Sequence, residues 1–271
     1  MSIADLADWL RCPHCGASLT DAAQLTLRCA TGHAFDVNKR GYVNLVAAND
    51  RMTGDDAAML DARDTFLGAG HFEPIRDALA AAVPAAAERI VDAGCGTGYY
   101  LAGVLASAGG GTKALAFDLS PEAVRRTVRA TGASGLVADT WRPLPLRDGC
   151  ADALLTVFAP RNLPEFHRIL DADGRLIVVV PSGTHLHELR ADGRALAVPA
   201  DKAERLQEEA APLFDLIGVE RVAYTMGLDG SAIEQLLGMG PAAHHREVGV
   251  AGRDERVTAS VDIVRLRRRV A

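Results

Sequence analysis

The stretch Arg89-Ile90-Val91-Asp92-Ala93-Gly94-Cys95-Gly96-Thr97-Gly98-Tyr99-Tyr100 decides the fold. A short apolar run with an acid near its end breaks into three alternating glycines, and Leu101 to Ala106 then reads as a helix. Strand, tight turn and helix N-terminus in that order make the nucleotide-type ligand site found at the carboxyl end of a parallel strand. Glycine lets the backbone turn sharply and approach a ligand with no Cβ in the way. Two ligand classes compete for such a loop, dinucleotides and S-adenosylmethionine. The dinucleotide fingerprint requires G-x-G-x-x-G, and no glycine stands three residues after Gly96. Tyr99 and Tyr100 fill the first helical turn, where a pyrophosphate would be crowded. Adenosylmethionine carries no phosphate, and its cationic centre gains from a nearby carboxylate. The loop therefore reads as the cofactor site of a methyltransferase, with a ligand-free glycine turn as the bland alternative.

Beyond the loop the chain alternates strand and helix. Lys113 to Asp118 is a second strand ending in an acid about twenty residues past the glycines, where a carboxylate can take ribose hydroxyls. Ser120-Pro121-Glu122 reads as a helix start, with Ser120 at the N-cap and Pro121 at the first helical position. Gly135 to Asp139, again closed by an acid, Ala153 to Phe158 and Arg175 to Val180 are further strands, and Asp173-Gly174 is a turn. Glu188 to Leu213 is one long or two short helices. Leu216 to Met226, a helix over Ser231 to Leu237, and Val257 to Leu266 suit a closing antiparallel pair. The expected fold is α/β: a Rossmann-like class I methyltransferase with a mostly parallel, seven-stranded sheet. Cys95 and Cys150 sit in apolar contexts as core thiols.

The other three cysteines lie near the N-terminus. Cys12-Pro13-His14-Cys15 and Cys29-Ala30-Thr31-Gly32-His33 place two short-gapped pairs about a dozen residues apart, the spacing of tetrahedral zinc ligation. Cys12, Cys15, Cys29 and His33 are the expected ligands, with His14 the rival for the fourth place. A full protein ligand set implies a structural zinc rather than a catalytic one. So small a segment could hardly fold without a staple; reduced buried thiols are the alternative. After the second pair, Lys39 and Arg40 lie beside Phe35 and Tyr42, combining charge with stacking faces that suit single-stranded RNA. A solvated hairpin with two core aromatics accounts for the same residues and is favoured by them alone. Ala47 to Asp56 is a polar link, Ala57 to Leu67 a helix, Gly68 to Pro74 a break, and Ile75 to Val83 a second helix. His71 reads as a surface or capping histidine.

At 271 residues the chain has room for a doubly wound domain and a small satellite. No apolar run is long enough to span a bilayer and the N-terminus lacks a basic flank, so a cytoplasmic location is the default and no membrane partner is expected. A net charge of −6 argues mildly against a nucleic-acid partner without excluding one, because local patches outweigh sums.

The chain resembles the bacterial 23S ribosomal RNA guanine-N1 methyltransferases, the RlmA-like enzymes. The likeness rests on Cys12-Pro13-x-Cys15, Cys29 to His33 with Phe35-Asp36, Gly41-Tyr42-x-Asn44-Leu45, Gly54-Asp55 to Met59, and Ala62-Arg63. It continues through Phe66-Leu67-x-x-Gly70-His71-Phe72-x-Pro74, Asp92 to Tyr100, Ala159-Pro160 and His185-Leu186-x-Glu188-Leu189, so it spans most of the chain in order. Phe72 stands where the family often has tyrosine, and Arg161-Asn162-Leu163 departs from its relatives. The resemblance implies a zinc-binding RNA-recognition module over residues 1–46, a linker with helices over 47–84, and a class I methyltransferase domain over 85–271. It also implies that adenosylmethionine is held by the glycine loop with help from the Gly70-His71-Phe72 turn and the loop from Pro181 to His185. Asp92 and the backbone of Gly94, Gly96, Thr97 and Gly98 would take the amino-acid end, Asp118 the ribose and Asp139 the adenine amino group. The expected reaction is methyl transfer to N1 of a guanine in a 23S rRNA hairpin loop, with no residue assigned as the catalytic base. A homodimer is the expected assembly where there is one. The competing readings are a small-molecule methyltransferase whose zinc only steadies the N-terminus, and a non-catalytic RNA-binding protein.

Overall fold

The computed structural model describes residues 3–22, 25–46, 54–197, 199–240 and 254–270. Residues 47–53, the start of the expected linker, lie outside that set. The chain runs α1 (Ile3–Trp9), β1 (Leu19–Asp21), β2 (Thr26–Cys29), β3 (Ala34–Asn38), β4 (Tyr42–Asn44), α2 (Ala57–Gly68), α3 (Glu73–Ala82), β5 (Arg89–Ala93) and α4 (Tyr99–Ser107). It continues with β6 (Lys113–Asp118), α5 (Pro121–Thr131), β7 (Ser134–Val137), β8 (Ala151–Val157), α6 (Leu163–Ile169), β9 (Leu170–Pro181), α7 (His187–Ala191), α8 (Lys202–Ala210), β10 (Phe214–Leu228), α9 (Gly230–Gly238) and β11 (Glu255–Arg268).

The order across the sheet is β1-β2-β3-β4-β7-β6-β5-β8-β9-β11-β10. β5 pairs in parallel with β6 on one side and β8 on the other, so the winding reverses there. Such a switch point leaves a crevice above the strand ends that no crossover helix covers. The last two strands form the expected antiparallel pair, and β11 also runs antiparallel to β9. Each face of the sheet has its own core. Leu6 and Trp9 of α1, Phe166 of α6 and Leu206 of α8 cover one face. Phe66 of α2, Leu79 of α3, Leu101 of α4, Val124 of α5 and Ile233 of α9 cover the other. Burial on both faces explains why β5 shows no alternation of buried and exposed residues.

The sheet is wider than the seven strands expected. β4 pairs in parallel with β7 and carries the ribbon strands β1 to β3 with it, giving eleven. All four residues of β7 are buried, and an open edge there would expose a row of unpaired N–H and C=O groups. β4 covers it, and the ribbon's Leu19 and Leu27 join the same core as Leu115 and Leu136. Residues 1–46 are thus a module in sequence that is continuous in space with the sheet. Asp173-Gly174 lies inside β9, where the register jumps from Leu170 to Arg175 against Ala151 and Ala153, so the expected turn is a bulge. The helical stretch after Glu188 is divided into α7 and α8. Among the described residues no helix is long and apolar enough to cross a membrane.

Candidate cofactor and metal sites

A cavity of about 570 Å³ opens over the ends of β5, β6 and β8, where the winding reverses. Its floor is the glycine loop. Gly94 and Gly98 hold left-handed φ of 76° and 83°, and each abuts a wall. A Cβ on Gly94 would lie 2.4 Å from the Cβ of Ala159, and one on Gly98 would lie 2.9 Å from the Cα of Thr127 on α5. The glycines are therefore required by packing as well as by turn geometry.

Of the expected cofactor residues, Phe72, Gly94, Gly96 and Thr97 line this cavity, as do Asp118, Asp139 and His185. Asp92 and Gly98 do not. Gly98 is the N-cap of α4, and Asp92 is buried beneath the loop. Asp118 is fixed by two amides, accepting from Ser120 N at 2.9 Å and from Gly96 N at 3.1 Å. Burial raises its carboxyl above the usual range, partly offset by those two N–H groups. A carboxylate has about four lone-pair sites, so both oxygens keep capacity for ribose hydroxyls. Asp139 accepts from Trp141 N at 2.9 Å. Among the described residues the Asp92 side chain has no hydrogen-bond or ion-pair partner, and burial, then the nearby Asp118, pushes its carboxyl up to about 7. An unpaired buried carboxylate below a glycine loop suits a cationic ligand end, which is the charge adenosylmethionine carries.

His185 follows β9 and is buried. Its Nδ1 accepts from Ser260 N, and burial, with Arg190 and Lys202 nearby, lowers its pKa to about 4. The ring is therefore neutral with its proton on Nε2, a donor rather than a base. His71, by contrast, contributes to a separate cavity, and its backbone oxygen accepts from the Tyr224 hydroxyl.

Three further lining residues are not among the expected cofactor residues, although Ala62-Arg63 is part of the family resemblance. Arg63 of α2 ion-pairs with Asp55 and donates to Met239 O at 2.8 Å, and its Nη1 stands over Gly96. Trp141 and Phe158 line the cavity while remaining 58% and 41% exposed. Phe158 has a φ of 54° and Leu186, also in the lining, 53°. Left-handed backbone at bulky residues costs energy and concentrates at functional sites. An exposed aromatic held there at the end of β8 presents a stacking face to whatever enters.

In the ribbon, the ligand atoms of Cys12, Cys15, Cys29 and His33 lie within 4.8 Å of one another. Zinc–sulfur bonds of about 2.3 Å fit a tetrahedron of that size. His14 stays outside the cluster and packs on His33 and Phe35, with ring centroids 4.9 and 5.8 Å away. The Thr31 hydroxyl, 3.0 Å from Cys29 Sγ, is the main cause holding that thiol down at about 5, on the side of the thiolate that binds metal. The RNA set fares differently. Lys39 and Arg40 are exposed on the turn between β3 and β4, but Tyr42 packs half-buried into the core against Gly135. Because β4 runs parallel to β7, that turn sits at the edge where the strands begin, whereas the cavity lies where they end.

Comparison with known proteins places this architecture. The zinc-ribbon model of the RlmA N-terminal region matches residues 10–52, and a methyltransferase-domain model matches residues 91–178. The chain is 44% identical over 245 residues to the 23S rRNA (guanine(748)-N(1))-methyltransferase of Streptomyces fradiae, covering 88% of this chain and 87% of that one. The chain belongs to the 23S rRNA (guanine-N1)-methyltransferase family. It is an adenosylmethionine-dependent methyltransferase with a structural zinc ribbon. Solved structures share the fold at low identity. A chain of the Haloferax volcanii complex containing the Trm112 methyltransferase activator is 21% identical at a TM-score of 0.54, covering 79% of this chain and 98% of that one. YcgJ of Bacillus subtilis is 16% identical at 0.51, covering 74% and 100%.

Proposed function

We propose that this enzyme methylates N1 of an unpaired guanine in a 23S rRNA hairpin loop. The observation that carries the reading is the cavity itself: glycine loop and strand-end acids on one side, the exposed rings of Phe158 and Trp141 on the other. N1 lies on the Watson–Crick edge, hidden in a paired guanine, so the base must enter unpaired or flipped and find a stacking face. The substrate in the name of the Streptomyces fradiae relative supports the same reading.

Bound adenosylmethionine supplies an activated methyl group on a sulfonium. The chain's own work is placement, which can account for several kcal/mol of a barrier. The loop amides and Asp92 hold the amino-acid end, Asp118 the ribose, and Asp139 the adenine amino group. Phe72 and His185 close the wall, with the Nε2–H of His185 available to an acceptor. Zinc held by Cys12, Cys15, Cys29 and His33 fixes the ribbon against the sheet. Lys39 and Arg40 serve as an outer contact for the RNA stem, away from the cavity. Work on ribosomal RNA puts the enzyme in the cytoplasm.

Primer extension tests the reading. A methyl on guanine N1 blocks pairing, so reverse transcriptase should halt one nucleotide before a guanine of 23S rRNA treated with enzyme and adenosylmethionine. Methyl incorporation into RNA without a strong stop at guanine would overturn it.

A further inference from the structure

Beside the cavity, outside its lining, Arg190 and Lys202 lie near His185, and Arg161 lies near Lys202. Arg161 directly follows the lining residue Pro160. Arg190 of α7 donates from its Nη2 to the oxygen of Gly183, in the loop that carries His185. Lys202 opens α8, and a Cβ on Gly183 would meet Ala200, two residues before it, at 3.0–3.2 Å. The same loop is thus pinned between Arg190 and the approach to Lys202. All three side chains are half-buried.

Elsewhere on this chain, whose net charge is −6, cations are mostly matched to carboxylates: Arg126 meets Asp61, Asp64 and Glu122, Arg168 meets Asp148 and Glu165, and Arg194 meets Asp192 and Glu255. Arg161, Arg190 and Lys202 form no ion pair among the described residues. Glu209 on α8 is the acid that acts on Arg161, and the two form no ion pair. Burial, then the neighbouring Arg161, lowers the pKa of Lys202. Like charges held together and partly desolvated are unfavourable unless an anion neutralises them.

We propose that Arg161, Arg190 and Lys202 form a phosphate grip for the target RNA, binding the backbone next to the guanine that enters the cavity. This rests on the RNA reading above. The cations flank the cavity without lining it, so they reach the backbone of an inserted nucleotide rather than its base. Phosphate contacts of this kind set register and orientation.

The test compares wild type with the Arg161→Gln/Lys202→Gln double variant on an unmodified 23S rRNA transcript, by filter binding at 50–200 mM salt. Single-stranded contacts contribute a slope of about 0.7 each in log K against log salt, so losing two should flatten it by about 1.4. The affinity lost between those salt concentrations should then shrink about sevenfold. Adenosylmethionine affinity, read by calorimetry on the same samples, should not change, and Arg161→Lys/Lys202→Arg should keep the wild-type slope. An unchanged slope in a folded double variant overturns the proposal. So does loss of adenosylmethionine affinity in its place, which would assign the cations to the cofactor carboxylate. Failure of the guanine-N1 reading shows separately, as a missing primer-extension stop with wild type, and leaves the slope comparison readable.

Discussion

Nδ1 of His185 accepts a hydrogen bond from the amide of Ser260 on β11, at 3.1 Å. The contact fixes the tautomer and joins the loop after β9 to β11, the strand beside it in the sheet. The unfolded ring titrates near 6.5 and the folded one near 4, so an unfolded chain binds a proton that the native ring refuses. The stability from this group is present above the unfolded value and lost as pH falls through that window. At pH 5 the loss is about 2 kcal/mol. Thermal melts should show wild type falling more steeply than His185→Gln between pH 7 and 5. Equal slopes would mean that the ring is not held neutral. Removing the Nε2–H donor should also weaken adenosylmethionine by about 3- to 10-fold, the worth of one neutral hydrogen bond.

Asp92 has the opposite sign. Its folded value of about 7 exceeds the ordinary 3.8, so the native carboxyl keeps its proton where the unfolded chain has lost it. Stability falls as pH rises through that window, by up to about 4 kcal/mol. Asp92→Asn should therefore flatten the melting profile between pH 5 and 8 while weakening the cofactor. Adenosylmethionine should restore stability to wild type at pH 8 more than to the variant, because its cationic end compensates the buried charge. A variant that binds the cofactor as wild type does would remove Asp92 from the site.

The ribbon core is continuous with the sheet, so its metal should matter to the whole fold. One zinc per chain is expected, and Cys12→Ser or Cys29→Ser should lose it. His14→Ala should keep it, because that ring lies outside the ligand cluster. Metal analysis after gel filtration decides between His33 and His14. Chelation should lower the melting temperature of the entire chain, since Leu19 and Leu27 lose their cover together with β4. Two separate transitions would show that the ribbon melts alone.

What the sequence made legible is what lies in contiguous spacing. Asp92 to Tyr100 carries its strand, turn and helix within one reach of chain, and the cysteine pairs give their chemistry by their gaps. Asp118 and Asp139 were readable because a strand-end acid has only one edge to face. The rest depends on distant partners. Tyr42 finds Gly135 across β4 and β7, and nothing local marks so short a strand as an edge cover. α1 is a single seven-residue helix, too short for a periodic signal. Arg63 reaches Gly96 from α2, and Phe158 turns left-handed at the end of an ordinary apolar strand. Lys39 and Arg40 are legible as an RNA-contact candidate because they adjoin aromatics in sequence, although the residues alone favour a solvated hairpin. Arg161, Arg190 and Lys202 stand on separate elements, so no local pattern groups them.

The aromatic wall gives the last prediction its reporter. The chain has two tryptophans, and they differ sharply: Trp9 is 3% exposed in the core of α1, whereas Trp141 is 58% exposed at the cavity. Its backbone amide is tied to Asp139, so its ring is presented from a fixed turn. A base stacked on an aromatic is worth about 1–3 kcal/mol, or roughly 5- to 150-fold in affinity. Trp141→Ala should raise the KM for RNA within that range and leave adenosylmethionine binding alone, and Trp141→Phe should recover most of the loss because it keeps a stacking face. In a Trp9→Phe background all tryptophan emission comes from Trp141, and RNA should quench it with the same affinity that filter binding reports. Adenosylmethionine alone should quench it much less if the ring stacks on the target base. Strong quenching by cofactor, with RNA kinetics untouched in Trp141→Ala, would assign the ring to the adenine pocket and leave Phe158 as the stacking face for guanine.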